Sequence, residues 1–106
     1  IMGYTFKENC PDIRNTRIID IVNKLEKFCE VRIFDPWVEK KDLDDHIALK
    51  MTNDLEEDKY DALIIAVAHD AFNEMNESDI RKSLKPNSPI LDVKGIFPKA
   101  FSDFRL

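Results

Sequence analysis

Glycine is scarce in this sequence, with only two glycines, Gly3 and Gly95, among the 106 residues. A loop that cradles the pyrophosphate of a dinucleotide needs several closely spaced glycines. The chain has no room for such a loop. Any phosphate site in it must therefore rest on one or two cations or on backbone N–H groups.

Clustered positive charge and long apolar runs are also missing. The formal net charge is −5, whereas nucleic-acid binding needs Lys and Arg gathered on one face. No apolar stretch approaches the roughly 20 residues that cross a bilayer, and no signal-peptide pattern opens the chain. We therefore expect neither nucleic acid nor a membrane as a partner.

Cysteine is equally sparse. Cys10 and Cys29 are spaced neither as a metal knuckle nor as a CxxC pair, so we expect no metal site and two reduced thiols in a cytoplasmic protein. Cys10 lies between Lys7 and Arg14, and nearby cations favour the reactive thiolate, which leaves a nucleophilic role open. No histidine accompanies it in the loop, so a thiol without catalytic duty is the simpler interpretation.

The sequence does contain short apolar runs that alternate with helical patterns. Strands are predicted over residues 1–5, 30–34, 61–67 and 89–93. Residues 61–67 are continuously apolar, which is typical of a parallel sheet covered on both faces. The segments between the strands predict helices or helical turns over residues 15–28, 37–49, 69–75 and 78–84.

This alternation predicts the order β-α-β-α-β-α-β, with right-handed crossovers and a parallel sheet between two helical layers. We expect at most a short helix in the polar residues 52–59 and an irregular tail after Gly95. A strand that begins at the first residue also predicts a single domain cut from a longer polypeptide. Ligands of such sheets bind at the carboxyl ends of the strands. Polar segments occupy those ends at residues 7–14, 68–70 and 94–95.

The loop after the first strand is the richest of these segments. It leads to a helix N-terminus, for which Asn15 and Thr16 are suitable caps. Unsatisfied N–H groups and the helix dipole attract anions there. Lys7 and Arg14 add full charges, so the combination suits a phosphate or pyrophosphate. The alternative is that Asp12 caps the helix or pairs with a cation, and the cations are merely solvated.

Two histidines remain to be considered. His69 and Asp70 follow the central strand and are candidates for acid–base chemistry. No nucleophile can be placed beside them, and a polar strand terminus explains the pair equally well. His46 lies in a charged segment and is expected on the surface.

Residues 3–16 read Gly-Tyr-Thr-Phe-Lys-Glu-Asn-Cys-Pro-Asp-Ile-Arg-Asn-Thr. They resemble the opening of the C-terminal domain of the UDP-glucose/GDP-mannose dehydrogenase family. Supporting motifs fall where that domain has equivalents, at residues 35–36, 60–62, 92–95 and 105–106. Together with residues 66–70, Ala-Val-Ala-His-Asp, the first motif resembles the branch that oxidises UDP-N-acetylhexosamines for capsule, O-antigen or Vi-type polysaccharides.

The resemblance implies a three-layer α/β/α, Rossmann-like domain with a parallel sheet, covering residues 1–106. The larger protein would be an NAD-dependent UDP-sugar 6-dehydrogenase that oxidises the C6 hydroxyl to a uronic acid. In this family an N-terminal domain holds the NAD, and a middle helical region carries the catalytic cysteine and the usual homodimer contact. Neither the glycine-rich motif of the NAD domain nor the motif of the catalytic cysteine occurs in this sequence. The chain is therefore expected to bind UDP-sugar without any catalytic residue of its own.

The resemblance also implies individual roles. Phe6 and Lys7 match a pair that contacts the UDP-sugar, and Arg14 matches an arginine that reaches NAD across the interdomain cleft. Lys94 falls where UDP-glucose enzymes have a substrate-contacting arginine, a pattern from which this sequence departs. Cys10 matches no catalytic position.

The alternative is a stand-alone α/β binding or signalling module. A receiver-type domain would need an acidic cluster at the end of the first strand, where this chain has Thr5, Phe6 and Lys7. An independent hydrolase would need a nucleophile elbow, and the sequence contains none.

Overall fold

Residues 1–3, here called the N-terminal segment, pair with strands on both sides. In the computed structural model, which describes residues 1–106, the Met2 N–H donates to the Ile64 carbonyl at 2.8 Å. On the opposite side, the Gly3 N–H donates to the Phe34 carbonyl at 2.9 Å. The segment is therefore the central strand of a sheet, as its apolar composition predicts.

Five further strands are short, and all pairings are parallel. They are β1 (Ile33–Phe34), β2 (Met51–Thr52), β3 (Leu63–Ile65), β4 (Ile90–Asp92) and β5 (Phe104–Arg105). Bridges from Met2 to Phe34 and Ile65 place the N-terminal segment between β1 and β3. The order across the sheet is then β2, β1, N-terminal segment, β3, β4, β5.

Numbered along the chain, this is the order 3-2-1-4-5-6 of doubly wound nucleotide-binding folds. The direction of the chain's progress reverses between the N-terminal segment and β3. Ligands of such sheets bind beyond the carboxyl ends of the strands at that point. We call this region the switch edge and define it as residues 4–9 and 66–70.

The helices are α1 (Ile18–Leu25), α2 (Asp45–Ala48), α3 (Asp70–Asn73) and α4 (Glu77–Lys82), with a 3₁₀ turn at Lys40–Asp42. Apolar side chains form two separate clusters. α3 and α4 contribute to the first: Met2, Leu63, Ile65, Phe72, Ile80, Leu84, Ile90, Phe97 and Phe101. α1 and α2 contribute to the second: Tyr4, Ile18, Val22, Val31, Ile33, Ile47, Ala66 and Val67. Two clusters on two faces confirm the predicted three-layer α/β/α arrangement.

Gly3 directs the chain from one face of the sheet to the other. Met2 and Tyr4 belong to different clusters, although residues two apart in a regular strand share a face. The φ of Gly3 is +103°, and a Cβ there would lie 2.5 Å from the Cβ of Val67. Only glycine accepts both the conformation and the close approach.

The prediction for the outer strands was wrong. Residues 51–52 form β2 where the sequence predicted a polar stretch with at most a short helix, and residues 104–105 form β5 within the expected irregular tail. Two residues are too few to show a hydrophobic period. These strands are specified by their pairing with β1 and β4.

Helix starts also differ from the predictions. Arg17 occupies the N-cap of α1 without a side-chain cap bond. The preceding residue, Thr16, supports the helix start instead, because its Oγ1 accepts from the Ile18 N–H at 3.3 Å and its hydroxyl donates to the Tyr4 carbonyl. The helix expected over residues 37–49 is broken into the 3₁₀ turn and α2. Asp44 is extended there and caps α2 by accepting from the Ile47 N–H at 2.9 Å. No helix in the structure is both long enough and apolar enough to cross a membrane.

Phe72 tests the packing of the first cluster. It is fully buried, with its ring 5.9 Å from Phe34 and 5.2 Å from His69. We expect Phe72→Ala to lower the free energy of unfolding by roughly 3–5 kcal/mol, measured by urea denaturation, because it leaves a large cavity. Phe28 is 86% exposed, so Phe28→Ala should change stability by less than about 0.5 kcal/mol. Equal losses from the two variants would contradict this core.

Candidate functional site at the switch edge

A buried carboxylate links the ends of three neighbouring strands. Asp35 follows β1 and is 5% exposed. Its Oδ2 accepts from the backbone N–H groups of Tyr4 at 2.7 Å and Thr5 at 3.2 Å. The same oxygen lies 3.0 Å from His69 Nε2, and Oδ1 accepts from the Trp37 N–H at 2.8 Å. These donors satisfy a charge that would otherwise be costly to bury.

His69 has both ring nitrogens engaged within the protein. Its Nδ1 accepts the backbone N–H of Asn9 at 2.9 Å. The ring proton is therefore assigned to Nε2, which faces Asp35. The side chain is 0% exposed, and the ring stacks 6.2 Å from Trp37. This geometry favours a structural role for His69, as a polar residue that ends a strand, over a role in acid–base chemistry. Asp70 begins α3 and is exposed at the surface.

The loop of the switch edge is held on several sides. The Thr5 hydroxyl donates to the Lys7 carbonyl at 2.9 Å. Asn9 has a φ of +55°, and its Oδ1 accepts from the Asp70 N–H at 3.0 Å. Phe6 is 55% exposed and Lys7 is exposed. The Lys7 ammonium has no carboxylate partner within 4.0 Å.

Arg14 pairs with Asp12 beside this loop. Its Nε and Nη2 donate to the Asp12 carboxylate at 3.0 and 3.2 Å, and its backbone N–H donates at 2.9 Å. These side-chain and backbone hydrogen bonds, together with the charges of Arg14 and Lys7, hold the pKa of Asp12 below its ordinary value. Both cations therefore act on one carboxylate. Local pairing with Asp12, the alternative noted for this loop, occurs for Arg14 but not for Lys7.

Lys94 lies at the same edge of the sheet on a different strand. It occupies the exposed turn that follows β4. Buried Asp92 holds this turn by accepting from the N–H groups of Ile96 at 3.2 Å and Phe97 at 2.9 Å. β3 separates β4 from the N-terminal segment. The structure thus brings Phe6, Lys7 and Arg14 together in one loop and places Lys94 in another.

The side chains that support this edge were not predicted from the sequence as structural residues. Asp35 and Asp92 each end an apolar strand run, and such a position lets a buried oxygen satisfy the N–H groups of the following loop. An aspartate at the end of an apolar run is therefore the sequence pattern from which these two supporting residues could have been predicted. Asn9 gave no comparable signal, because its partners, His69 and Asp70, lie about sixty residues away in the sequence.

Neither a dinucleotide cradle nor a metal cluster is formed by these residues. No group of three or more His, Cys, Asp or Glu side chains is placed to hold a metal ion. Gly3 packs against Val67, and the chain contains no further glycine before Gly95. Cys10 and Cys29 are free thiols. An apolar groove of about 300 Å³, lined in part by Ile1, Val31 and Ala62, lies at the amino ends of the strands and is separate from the switch edge.

Comparison with known proteins assigns the family. Residues 1–99 match the model of the UDP-glucose/GDP-mannose dehydrogenase family, UDP binding domain. The chain belongs to this family. The match contains the whole switch edge and the turn that carries Lys94, and it confirms the resemblance seen in residues 3–16.

Three curated proteins are similar to this chain along most or all of its length. The chain is 46% identical over 107 residues to UDP-N-acetyl-D-glucosamine 6-dehydrogenase of Salmonella typhi and 40% identical to the protein of that name from Pseudomonas aeruginosa. Each alignment covers 100% of this chain and 25% of the relative. Protein CapL of Staphylococcus aureus is 33% identical over 97 residues, which are 91% of this chain and 23% of CapL. The chain therefore spans about a quarter of the length of these relatives.

The pairing of Asp12 with Arg14 can be tested by titration. We expect the pKa of Asp12 to rise toward its ordinary value in Arg14→Ala, followed by the carboxyl chemical shift in NMR. A carboxyl whose pKa is lowered by folding stabilises the folded state above its unfolded pKa and loses that contribution as the pH falls through the folded pKa. Arg17→Ala, at an exposed arginine outside this pair, is the control. An unchanged Asp12 titration in Arg14→Ala would contradict the pairing.

Proposed function

We propose that this chain is the UDP-sugar-binding domain of an NAD-dependent UDP-sugar 6-dehydrogenase. The observation that carries the proposal is that Lys7 is an exposed cation without an ion-pair partner. It lies at the switch edge, on a loop that is held by hydrogen bonds to Thr5 and His69. The chain that contains it matches a UDP-binding domain over residues 1–99. The protein is acidic overall, with a net charge of −5. A local unpaired cation is what a diphosphate needs in such surroundings.

Phe6 and Lys7 take complementary parts of the ligand in this proposal. Lys7 supplies charge or a hydrogen bond to the anionic part of the UDP-sugar. Phe6, 55% exposed, offers an aromatic surface beside it. Lys94 is a third contact, from the turn that Asp92 holds. None of these residues is assigned a catalytic role.

Arg14 is proposed to reach NAD held by another domain. Its side chain is 85% exposed, and the pairing with Asp12 uses only some of its N–H donors. NAD would supply the hydride acceptor for the oxidation. This chain lacks the glycines of a dinucleotide loop, so the cofactor is held mainly elsewhere in the protein.

The length comparison supports a larger protein. The chain covers about a quarter of the length of its relatives, which fits a 106-residue domain that works with an N-terminal NAD domain and a middle helical region. We propose that the full protein is a cytoplasmic homodimer that serves surface polysaccharide synthesis. The names of the relatives that are 46% and 40% identical favour UDP-N-acetylglucosamine as the substrate. They also argue against the alternative of a stand-alone α/β binding or signalling module.

An activity screen of the full-length protein tests this proposal. We expect NADH to form from NAD⁺ with at least one of UDP-glucose, UDP-N-acetylglucosamine, UDP-N-acetylgalactosamine and UDP-N-acetylmannosamine. Absorbance of NADH is the measurement, and the chain alone should be inactive. No NADH with any of the four sugars would reject the proposed activity.

Lys7 and Arg14 should affect different substrates. Because a charged hydrogen bond contributes about 1.5–3 kcal/mol, Lys7→Ala should raise the KM for the UDP-sugar roughly 10- to 100-fold and leave that for NAD⁺ unchanged. Arg14→Ala should raise the KM for NAD⁺ and leave that for the sugar unchanged. Steady-state kinetics with each substrate varied in turn measures both effects.

Two matched substitutions control for loss of a surface charge. Lys27→Ala removes an exposed lysine beyond the end of α1, and Arg17→Ala removes an exposed arginine near Arg14. Neither should change either KM by more than about twofold, or about 0.4 kcal/mol. An unchanged sugar KM in Lys7→Ala, or an unchanged NAD⁺ KM in Arg14→Ala, would reject that residue's assignment.

A further inference from the structure

The loop that carries Lys7 depends on His69, a residue about sixty positions away in the sequence. The His69 Nδ1 accepts the Asn9 N–H at 2.9 Å, and its Nε2 lies 3.2 Å from the Thr5 hydroxyl and 3.0 Å from Asp35. Thr5 in turn donates to the Lys7 carbonyl. Lys7 is therefore supported on both sides by residues that contact one imidazole.

We propose that His69 is a positioning residue for the UDP-sugar site and that it acts through Thr5 and Asn9 on Lys7. This inference rests on the proposed function of the switch edge. His69 is 0% exposed and both of its nitrogens are bonded, so it does not touch substrate. Its effect is on where the ammonium of Lys7 is held before the substrate arrives.

The geometry separates this role from simple core packing. Asn9 has a positive φ of 55°, a conformation that non-glycine residues adopt at a cost and that Asn tolerates best. Two hydrogen bonds keep it there, one to His69 and one between its Oδ1 and the Asp70 N–H. A loop that is already ordered binds its ligand more tightly, because the entropic cost of ordering it was met during folding and does not reduce the affinity.

A double-mutant cycle in the full-length protein tests the inference. His69→Gln preserves a polar group near Asp35 and removes the acceptor of the Asn9 N–H. We expect it to raise the KM for the UDP-sugar about tenfold and to leave the KM for NAD⁺ unchanged. In the Lys7→Ala background the same substitution should change the sugar KM by less than about twofold, because effects that act through one group are not additive.

His46→Gln is the matched control, since His46 is an exposed histidine bonded to Glu26. It should leave the sugar KM unchanged. Where His69→Gln does not fold, Thr5→Val replaces it. Valine keeps the shape of the buried side chain but removes the hydroxyl that lies 3.2 Å from His69 Nε2 and donates to the Lys7 carbonyl. The same coupling to Lys7 is expected.

The outcomes are distinct. A His69→Gln effect that is absent, or that persists in full in the Lys7→Ala background, would overturn the positioning role while leaving the proposed function intact. An unchanged sugar KM in Lys7→Ala alone would reject the proposed role of Lys7 at the switch edge, and this inference with it. A loss of the His69 effect in the Lys7→Ala background supports the positioning role.

Discussion

The Asp35 carboxylate is the constraint on which the switch edge depends. Three strand ends that are far apart in sequence meet at it: the exits of the N-terminal segment, β1 and β3. A buried carboxylate without donors would be strongly unfavourable, and removing any one donor leaves the charge less well satisfied. The loops at this edge are therefore not independent. Each is held in the position that gives the shared acceptor its hydrogen bonds.

The same arrangement explains how an acidic domain can offer a cationic site. Asp35 is the carboxylate buried at the centre of the edge, but it is satisfied by N–H groups rather than by Lys7. Asp12 is occupied by Arg14, which hydrogen-bonds to it through both side chain and backbone. The Lys7 ammonium is consequently left without a local partner despite the net charge of −5. Hydrogen bonding within the protein, rather than overall charge, determines which cation remains available for an anion.

Much of this framework could be predicted from the sequence, and the failures have physical causes. Apolar runs at residues 1–5, 61–67 and 89–93 predicted the inner strands of a parallel sheet, because strands buried on both faces need continuous apolar residues. β2 and β5 were missed, since a two-residue edge strand is determined by its neighbour rather than by its own pattern. The Lys7 loop was found from its charges. The hydrogen bond that holds this loop was not predicted, because it joins Asn9 and His69, which are distant in sequence.

Gly3 shows why this domain uses the strand order of a dinucleotide fold in a different way. In a dinucleotide-binding turn, glycines open space for the pyrophosphate to approach the backbone. Here the space beside Gly3 is filled by Val67, and the positive φ of Gly3 instead turns Tyr4 and Thr5 toward Asp35. The backbone at Gly3 is therefore covered by Val67, and in the proposed function the anion is bound by the exposed side chain of Lys7 instead. A site made of exposed side chains depends on the charge and position of a few residues. The proposed binding therefore depends strongly on the position of Lys7 and on the buried imidazole of His69, which holds the Lys7 loop.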